Sequence, residues 1–183
     1  MDDSSKEHFG RRDLFKRTIG INSKPDGSYS LTSTARLGLI FVAAEMVSVP
    51  LVVGSGLNVG NAGYDEEAVA NSRKNPVTTF VLEDVMAPIL EEALFRGIPD
   101  ALAGQEGIQW KWGLPATLLF GFLHNYVPDK EKNYYFNTSI FPLYQLMSGA
   151  FNWVLTRKRG LPHAMLAHSV NNSAAHLYDL IIQ

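Results

Sequence analysis

The chain of 183 residues contains no cysteine. This absence excludes disulfide bonds, cysteine-ligated zinc and a thiol nucleophile. An excess of positive charge is also lacking, because 16 basic residues face 18 acidic ones and the formal net charge is −2. A broad basic face for nucleic acid is therefore not expected. Charged residues make up only 19% of the chain, which leaves room for extended apolar segments.

The chain divides into a polar beginning and a longer apolar remainder. Its length allows one domain with a sizeable core. Mean hydropathy is −0.03, a value typical of soluble proteins, yet the apolar residues are clustered. Residues 1–36 are polar and predict a flexible N-terminal arm. Residues 37–183 are predicted to form a single helical domain.

Five apolar segments follow the arm, separated by polar stretches. The first, 37–57, contains one charged residue, Glu45, and is long enough to cross a bilayer core of about 30 Å at 1.5 Å per residue. The other four cover 76–96, 114–127, 139–156 and 161–182. The pattern predicts an all-α fold, a polytopic bundle of about five apolar helices.

Polar residues inside these segments form three pairs with a spacing of four, which places both members of a pair on one helical face. The pairs are Glu92 and Arg96 in EEALFR, Phe120 and His124 in FGFLH, and His168 and Asn172 in HSVNN. Singly, each fragment is common on ordinary helices. Their occurrence in three separate apolar segments favours one shared polar site.

The three motifs, in this order, resemble those of the CAAX-processing and bacteriocin-processing family of intramembrane endopeptidases, also called the CPBP or Abi family. That family is marked by EExxxR, FxxxH and HxxxN/D on successive transmembrane helices. The resemblance covers roughly residues 76–182 and implies that the last four helices form a catalytic core. It also implies cleavage near the C-terminus of prenylated proteins or of bacteriocin-type leader peptides.

The resemblance implies four catalytic residues. Hydrolysis without a covalent intermediate needs a base for water, a donor for the oxyanion and a proton for the leaving amine. Glu91 is expected to be the general base, with His124 sharing or orienting the water. His168 and Asn172 are expected to donate hydrogen bonds to the oxyanion.

Three further residues are expected to support the site. Glu92 and Arg96 are predicted to form an ion pair that fixes the end of their helix, and Phe120 accompanies His124 in its motif. Arg96 has an alternative role, since a guanidinium also binds acidic groups such as the C-terminal carboxylate of a substrate.

The cofactor is not decided by the sequence. Glu91, His124 and His168 are also the carboxylate and two imidazoles of a catalytic zinc site, in which water takes the fourth position. If a divalent metal such as zinc is bound, these three residues are its expected ligands. Their spacing is uninformative, because the ligands come from three different helices.

The expected partners are a peptide or protein substrate and membrane lipid, without nucleic acid. If the N-terminal arm is cytoplasmic, the basic cluster at 157–159 lies on the same side, as the positive-inside rule prefers. The expected localisation is therefore integral to the membrane, with the N-terminus and active site on the cytoplasmic side. Two alternatives remain open: a non-catalytic helical membrane or immunity-type binding protein, and a soluble divergent or engineered version of the same bundle.

Overall fold

The computed structural model describes residues 30–54, 73–104, 107–128 and 134–182, with the backbone alone at 48–54, 128 and 179–182. Within these ranges the chain is mostly helical, and the predicted all-α class is confirmed in this coarse sense. The helices are α1 (Leu31–Gly54), α2 (76–103), α3 (Trp110–Leu123), α4 (Leu143–Arg159) and α5 (Leu161–Ile182). Helix α2 is continuous through five segments: Pro76–Thr79, Phe80–Met86, Ala87–Glu92, Ala93–Gly97 and Ile98–Ala103.

Helix α1 begins inside the predicted N-terminal arm. Ser30 caps it, because the Ser33 N–H donates to Ser30 Oγ at 3.1 Å and so satisfies a backbone donor that the first helical turn leaves free. The arm before residue 30 and the end of the first predicted apolar segment, at 55–57, lie outside the described residues. Capping thus starts the helix earlier than hydropathy indicates.

Two stretches of α2 have π-helical hydrogen bonding, and a proline follows each within two residues: Phe80–Met86 by Pro88, and Ala93–Gly97 by Pro99. Proline has no N–H, so the helix loses one bond and a local π turn accommodates the change. Accordingly, the Ala87 N–H donates to the Leu82 carbonyl, five residues earlier. The prolines thereby set the rotation of the helix segment that carries the first motif.

Glycines allow the helices to approach closely around the interior. A Cβ on Gly113 of α3 would overlap the buried indole of Trp153 on α4. A Cβ on Gly149 of α4 would lie 3.0 Å from Arg96 Nη2 on α2. Trp153 also donates from Nε1 to the Ile108 carbonyl at 2.7 Å. These contacts bring α2, α3 and α4 together.

A short antiparallel hairpin follows α3 and is not predicted by the sequence patterns. Its strands are β1 (Tyr126–Pro128) and β2 (Tyr134–Phe136). The buried Asn125 side chain donates to the carbonyls of Asn137 at 3.1 Å and Ile140 at 2.8 Å. One amide thus joins the two ends of the hairpin beside the C-terminal end of α3.

The described interior combines an apolar cluster of Leu155, Ala164 and Ala167 with many buried polar side chains, and the described exterior is rich in apolar side chains. Buried polar residues include Thr34, Asp84, Glu92, Arg96, Asn152 and His168. Large exposed apolar residues on α2 and α3 include Leu90, Leu94, Ile98, Leu118 and Leu119. None of the helices in the described part of the chain has both the length and the apolar character needed to cross a membrane.

Candidate active site

The buried carboxylate of Glu92 joins three helices. Its Oε1 accepts a hydrogen bond from His168 Nδ1 of α5 at 2.8 Å and another from Asn152 Nδ2 of α4 at 3.1 Å. Arg96 Nη1, one turn along α2, lies 3.3 Å from the same oxygen. A buried carboxylate is costly unless it is paired and hydrogen-bonded. The convergence of these three partners satisfies that requirement.

The ion pair between Glu92 and Arg96 is present, with both side chains fully buried. The guanidinium carbon lies 4.1 Å from the centroid of the Phe120 ring, within the range of a cation–π contact. Phe120 therefore supports Arg96 from α3 while Glu92 supports it from α2. All three members of the predicted supporting set lie together.

Glu91 contacts the other ring nitrogen of the same histidine. Its Oε2 lies 3.7 Å from His168 Nε2, and about 30% of its side chain is exposed. A rotation of about 100° per residue directs the two neighbouring glutamates differently. Because Nδ1 donates to Glu92, Nε2 is the nitrogen that faces Glu91. One imidazole is thus placed between two adjacent carboxylates.

His124 joins this group through Phe120. Its Nδ1 donates to the Phe120 carbonyl at 2.7 Å, and the two rings lie 4.5 Å apart. The Phe120 ring in turn meets the His168 ring edge to face at 5.8 Å. The hydrogen bond to the backbone orients His124 and leaves its Nε2 for another partner. Phe120 therefore contacts both imidazoles of the predicted site.

Asn172 lies one turn beyond His168 on α5 but is held by a different part of α2. Its Nδ2 donates to the backbone carbonyl of Glu83 at 3.1 Å. The structure therefore gathers Glu91, Glu92, Arg96 and His168 with the two residues of the second motif. It places Asn172 beside this group, anchored to a carbonyl eight residues before Glu91 on α2.

A metal centre is not assembled by these residues. Among the described residues, no group of three or more histidine, aspartate or glutamate side chains is arranged to hold a metal ion. The structure therefore does not bring the conditional ligand set of Glu91, His124 and His168 together as a metal site, and the Phe120 ring contacts both of its imidazoles.

Asn152 is the member of the site that the sequence analysis missed. It belongs to none of the three motifs, and it lies 60 residues from Glu92 in the chain. The signal that points to it is a fully buried amide in the apolar segment 139–156. A polar residue in such a segment needs a partner, but the sequence does not name that partner.

Comparison with known proteins identifies the family. The sequence pattern of the family described as type II CAAX prenyl endopeptidase Rce1-like matches residues 73–174, more than half of the chain and the part that carries all three motifs. No curated protein and no solved structure matches the chain. The chain belongs to the type II CAAX prenyl endopeptidase Rce1-like family, a protease family of the CPBP group that its motifs resemble.

Proposed function

We propose that the protein is an intramembrane-type endopeptidase that hydrolyses a peptide bond near the C-terminus of a prenylated CAAX-type substrate. The family supports a protease acting on such substrates. The observation that carries the mechanism is the placement of the His168 ring, with Nδ1 on Glu92 and Nε2 towards Glu91. This arrangement supports proton transfer by Glu91 beside His168, a hydrogen-bond donor whose ring is fixed by Glu92.

In the proposed first step, Glu91 removes a proton from water and the hydroxyl oxygen adds to the scissile carbonyl. Glu91 suits this role because it is the partly exposed carboxylate of the pair, whereas Glu92 is buried and its Oε1 is bound by His168 and Asn152. His124 orients the water through Nε2, since its Nδ1 is held by the Phe120 carbonyl. A base must lie within hydrogen-bond reach of the proton that it takes.

In the proposed second step, His168 and Asn172 stabilise the oxyanion. The Nε2–H of a protonated His168 is one donor, and the Glu92 carboxylate stabilises the ring's positive charge. The second amide hydrogen of Asn172 is the other donor, because the first binds the Glu83 carbonyl. Glu91 then transfers its proton to the leaving amine as the C–N bond breaks, which returns its carboxylate.

Arg96 acts as a structural partner in this proposal. Its guanidinium is fully buried, packed on Phe120 and paired with Glu92. A residue that binds the C-terminal carboxylate of a substrate needs an accessible guanidinium. The burial of Arg96 therefore favours the ion-pair role over recognition of the substrate.

The proposed setting is the membrane, with the N-terminus and the active site on the cytoplasmic side. Members of the family are membrane proteins. The apolar exterior of α2 and α3 and the buried ionisable side chains suit a surrounding of lipid, in which ionisable groups turn inward. The catalytic core proposed from the motifs covers about residues 76–182, behind a polar arm at 1–36.

The test uses the full-length protein in detergent and a peptide that ends in a farnesylated CAAX sequence, with products identified by mass spectrometry. We expect cleavage by the native protein and a loss of about 100-fold or more in Glu91→Gln and His124→Ala, because each removes a group that handles the water. Lys111→Gln, at an exposed position of α3, is the matched control and should retain full activity.

Two results would contradict the proposal. One is retention of full activity in Glu91→Gln, and the other is the absence of cleavage by the native protein. The same peptide without its prenyl group tests the substrate class, and a bacteriocin-type leader peptide tests the alternative. Activity that persists in a strong chelator supports glutamate-activated water, whereas loss that zinc restores assigns the step to a metal.

A further inference from the structure

A second group of two acids and a histidine lies on the same pair of helices. His176 of α5 donates from Nδ1 to Asp84 Oδ1 of α2 at 2.6 Å. Its Nε2 lies 3.7 Å from Glu83 Oε2. Asp84 is buried, whereas Glu83 is 65% exposed. None of these three side chains has a part in the hydrolysis proposed above.

The second group repeats the geometry of the first. In both, one imidazole has Nδ1 on a buried carboxylate and Nε2 at 3.7 Å from the carboxylate of the preceding residue. Along α2 the acidic pairs stand eight residues apart, and so do His168 and His176 along α5. This separation corresponds to about 12 Å along a helix. We call each histidine with its two carboxylates a clamp. The first clamp consists of His168, Glu91 and Glu92, and the second consists of His176, Glu83 and Asp84. Both hold α5 against α2.

Pro88 links the second clamp to the active site through a backbone carbonyl. In an α-helix the Glu83 carbonyl accepts from the N–H of Ala87, but here that N–H donates to Leu82. In a π-helix the Glu83 carbonyl would accept from the N–H of the residue five positions later, but that residue is Pro88, which has no N–H. The Glu83 carbonyl instead accepts the Asn172 amide. The π turn thus creates the acceptor that anchors Asn172.

Asn172 lies midway between the two clamps. It is four residues after His168 and four before His176, so all three face α2 from one side of α5. Its acceptor belongs to Glu83, whose neighbour Asp84 is bound by His176. The second clamp therefore holds the backbone segment to which the Asn172 amide is bound.

We infer that Asp84 and His176 are positioning residues that orient Asn172 as an oxyanion donor. The inference rests on the proposed hydrolysis and adds two residues to it. Neither residue touches the reacting atoms; they fix the π turn and the register of α5 on α2. A small displacement of a catalytic group lowers the rate sharply, so loss of the clamp should lower kcat more than it changes KM.

The experiment compares two substitutions of one residue in the full-length protein, with the farnesylated CAAX peptide as substrate. The amide of asparagine takes roughly the place of Nδ1, so His176→Asn keeps a donor for Asp84, whereas the amide of glutamine takes the place of Nε2. We expect His176→Gln to lower kcat by about 10- to 100-fold, with KM within about twofold. His176→Asn should recover most of that loss, and Asp84→Ala should match His176→Gln.

A double-mutant cycle separates positioning from a general loss of folded protein. Asn172→Ala removes the group that the clamp orients, so adding His176→Gln to it should lower kcat no further. A clamp that affects the rate independently of Asn172 would give an additional loss in the double variant, and one that only stabilises the fold would leave the normalised kcat of His176→Gln at the native value. Circular dichroism of each variant measures the folded fraction, to which the rates are normalised.

The outcomes separate this inference from the function beneath it. Native kcat in His176→Gln, or losses that multiply in the double variant, would overturn the positioning role while Glu91→Gln still abolishes cleavage. Failure of the native protein to cleave would overturn the proposed function, and the inference with it. Recovery in His176→Asn together with the absence of a further loss in the double variant supports both.

Discussion

At the scale of single residues, Glu92 is the residue on which the charged and polar contacts of the site converge. One buried oxygen receives contacts from a cation, an imidazole and an amide on three helices. The Arg96 contact is not aligned as a hydrogen bond, and its guanidinium nitrogens have no hydrogen-bond partner among the described residues. Arg96 therefore depends on the charge of Glu92 more than on hydrogen bonds. The negative charge itself is what the site needs from this residue.

The first prediction tests that charge. Glu92→Gln keeps the size and an acceptor for His168 but leaves the buried Arg96 without its counter-ion. Breaking one side of a buried pair costs about 3–5 kcal/mol, so the free energy of unfolding should fall by that order and cleavage should be lost. Chemical denaturation followed by tryptophan fluorescence measures the stability.

The matched control for this substitution is the double variant Glu92→Gln with Arg96→Met. Neutralising both partners removes the unpaired buried charge, so stability should recover substantially. Cleavage should remain absent, because no carboxylate is left at Nδ1 of His168 to support its ring. A single Glu92→Gln variant as stable as the native protein would show that the pair carries little of the fold's energy.

The second prediction concerns Asn152. Asn152→Ala removes a buried donor from Glu92 Oε1 and leaves a gap between α2 and α4. We expect the free energy of unfolding to fall by about 1–3 kcal/mol, measured by the same denaturation. Asn137→Ala, at a half-buried position in the turn after β2, should change stability by less than half as much. Equal effects at the two positions would contradict a special role for the buried amide.

What the sequence predicts at this scale depends on separation along the chain. The pair of Glu92 and Arg96 follows from helical spacing alone, because the two residues are one turn apart. The contacts of Glu92 with Asn152 and His168 join residues 60 and 76 positions apart. Only the packing of helices sets such contacts. The sequence therefore names polar residues of the site but not all of their partners.

At the scale of elements, the sequence predicts the apolar helices well and their irregularities poorly. The segment 161–182 matches α5 at both ends, because Gly160 precedes it and its apolar pattern is continuous. Proline in an apolar segment predicts a disturbance in α2, but the backbone alone reveals that the response is a π turn. The hairpin beside α3 is held by Asn125 side-chain hydrogen bonds to distant carbonyls, which periodicity does not report.

The third prediction separates the functional effect of Pro88 from its effect on stability. Pro88→Ala restores an N–H, so the helix can return to α-helical bonding and the Glu83 carbonyl regains a local donor. We expect kcat to fall by about tenfold or more as Asn172 loses its anchor. Stability should be unchanged or higher, because proline costs about 3 kcal/mol in a helix interior relative to alanine.

Pro115 of α3 provides the control for this prediction. It also lies inside a helix, but it is exposed and belongs to no part of the site. Pro115→Ala should raise the thermal midpoint without changing kcat. Peptide cleavage and thermal unfolding of both variants make the comparison. Equal kcat in the two variants would disconnect the π turn from catalysis.

At the scale of the whole molecule, the distribution of polarity is the main feature. Glutamate, arginine, asparagine and histidine are buried at the centre, while leucine and isoleucine cover the outside of α2 and α3. Average hydropathy cannot distinguish this arrangement from an ordinary soluble bundle, because it ignores the direction in which each side chain points. The side-chain directions suit a molecule with an apolar exterior around a cluster of buried polar residues.

The fourth prediction tests whether that exterior faces lipid. Leu94 on α2 and Leu119 on α3 are both more than half exposed. In contact with lipid, Leu→Lys at either position should cost about 2.5–3.5 kcal/mol and should lower the stability of protein reconstituted in liposomes. In contact with water, the same changes should stay within about 0.5 kcal/mol. Tyr134→Lys, on the exposed hairpin, is the control and should be neutral in both settings.

Flotation of the native protein with liposomes through a sucrose gradient gives an independent measurement. A native protein that stays monomeric in detergent-free buffer and tolerates both lysines would place these helices in water, whereas co-flotation with a selective loss at Leu94 and Leu119 would place them in the bilayer.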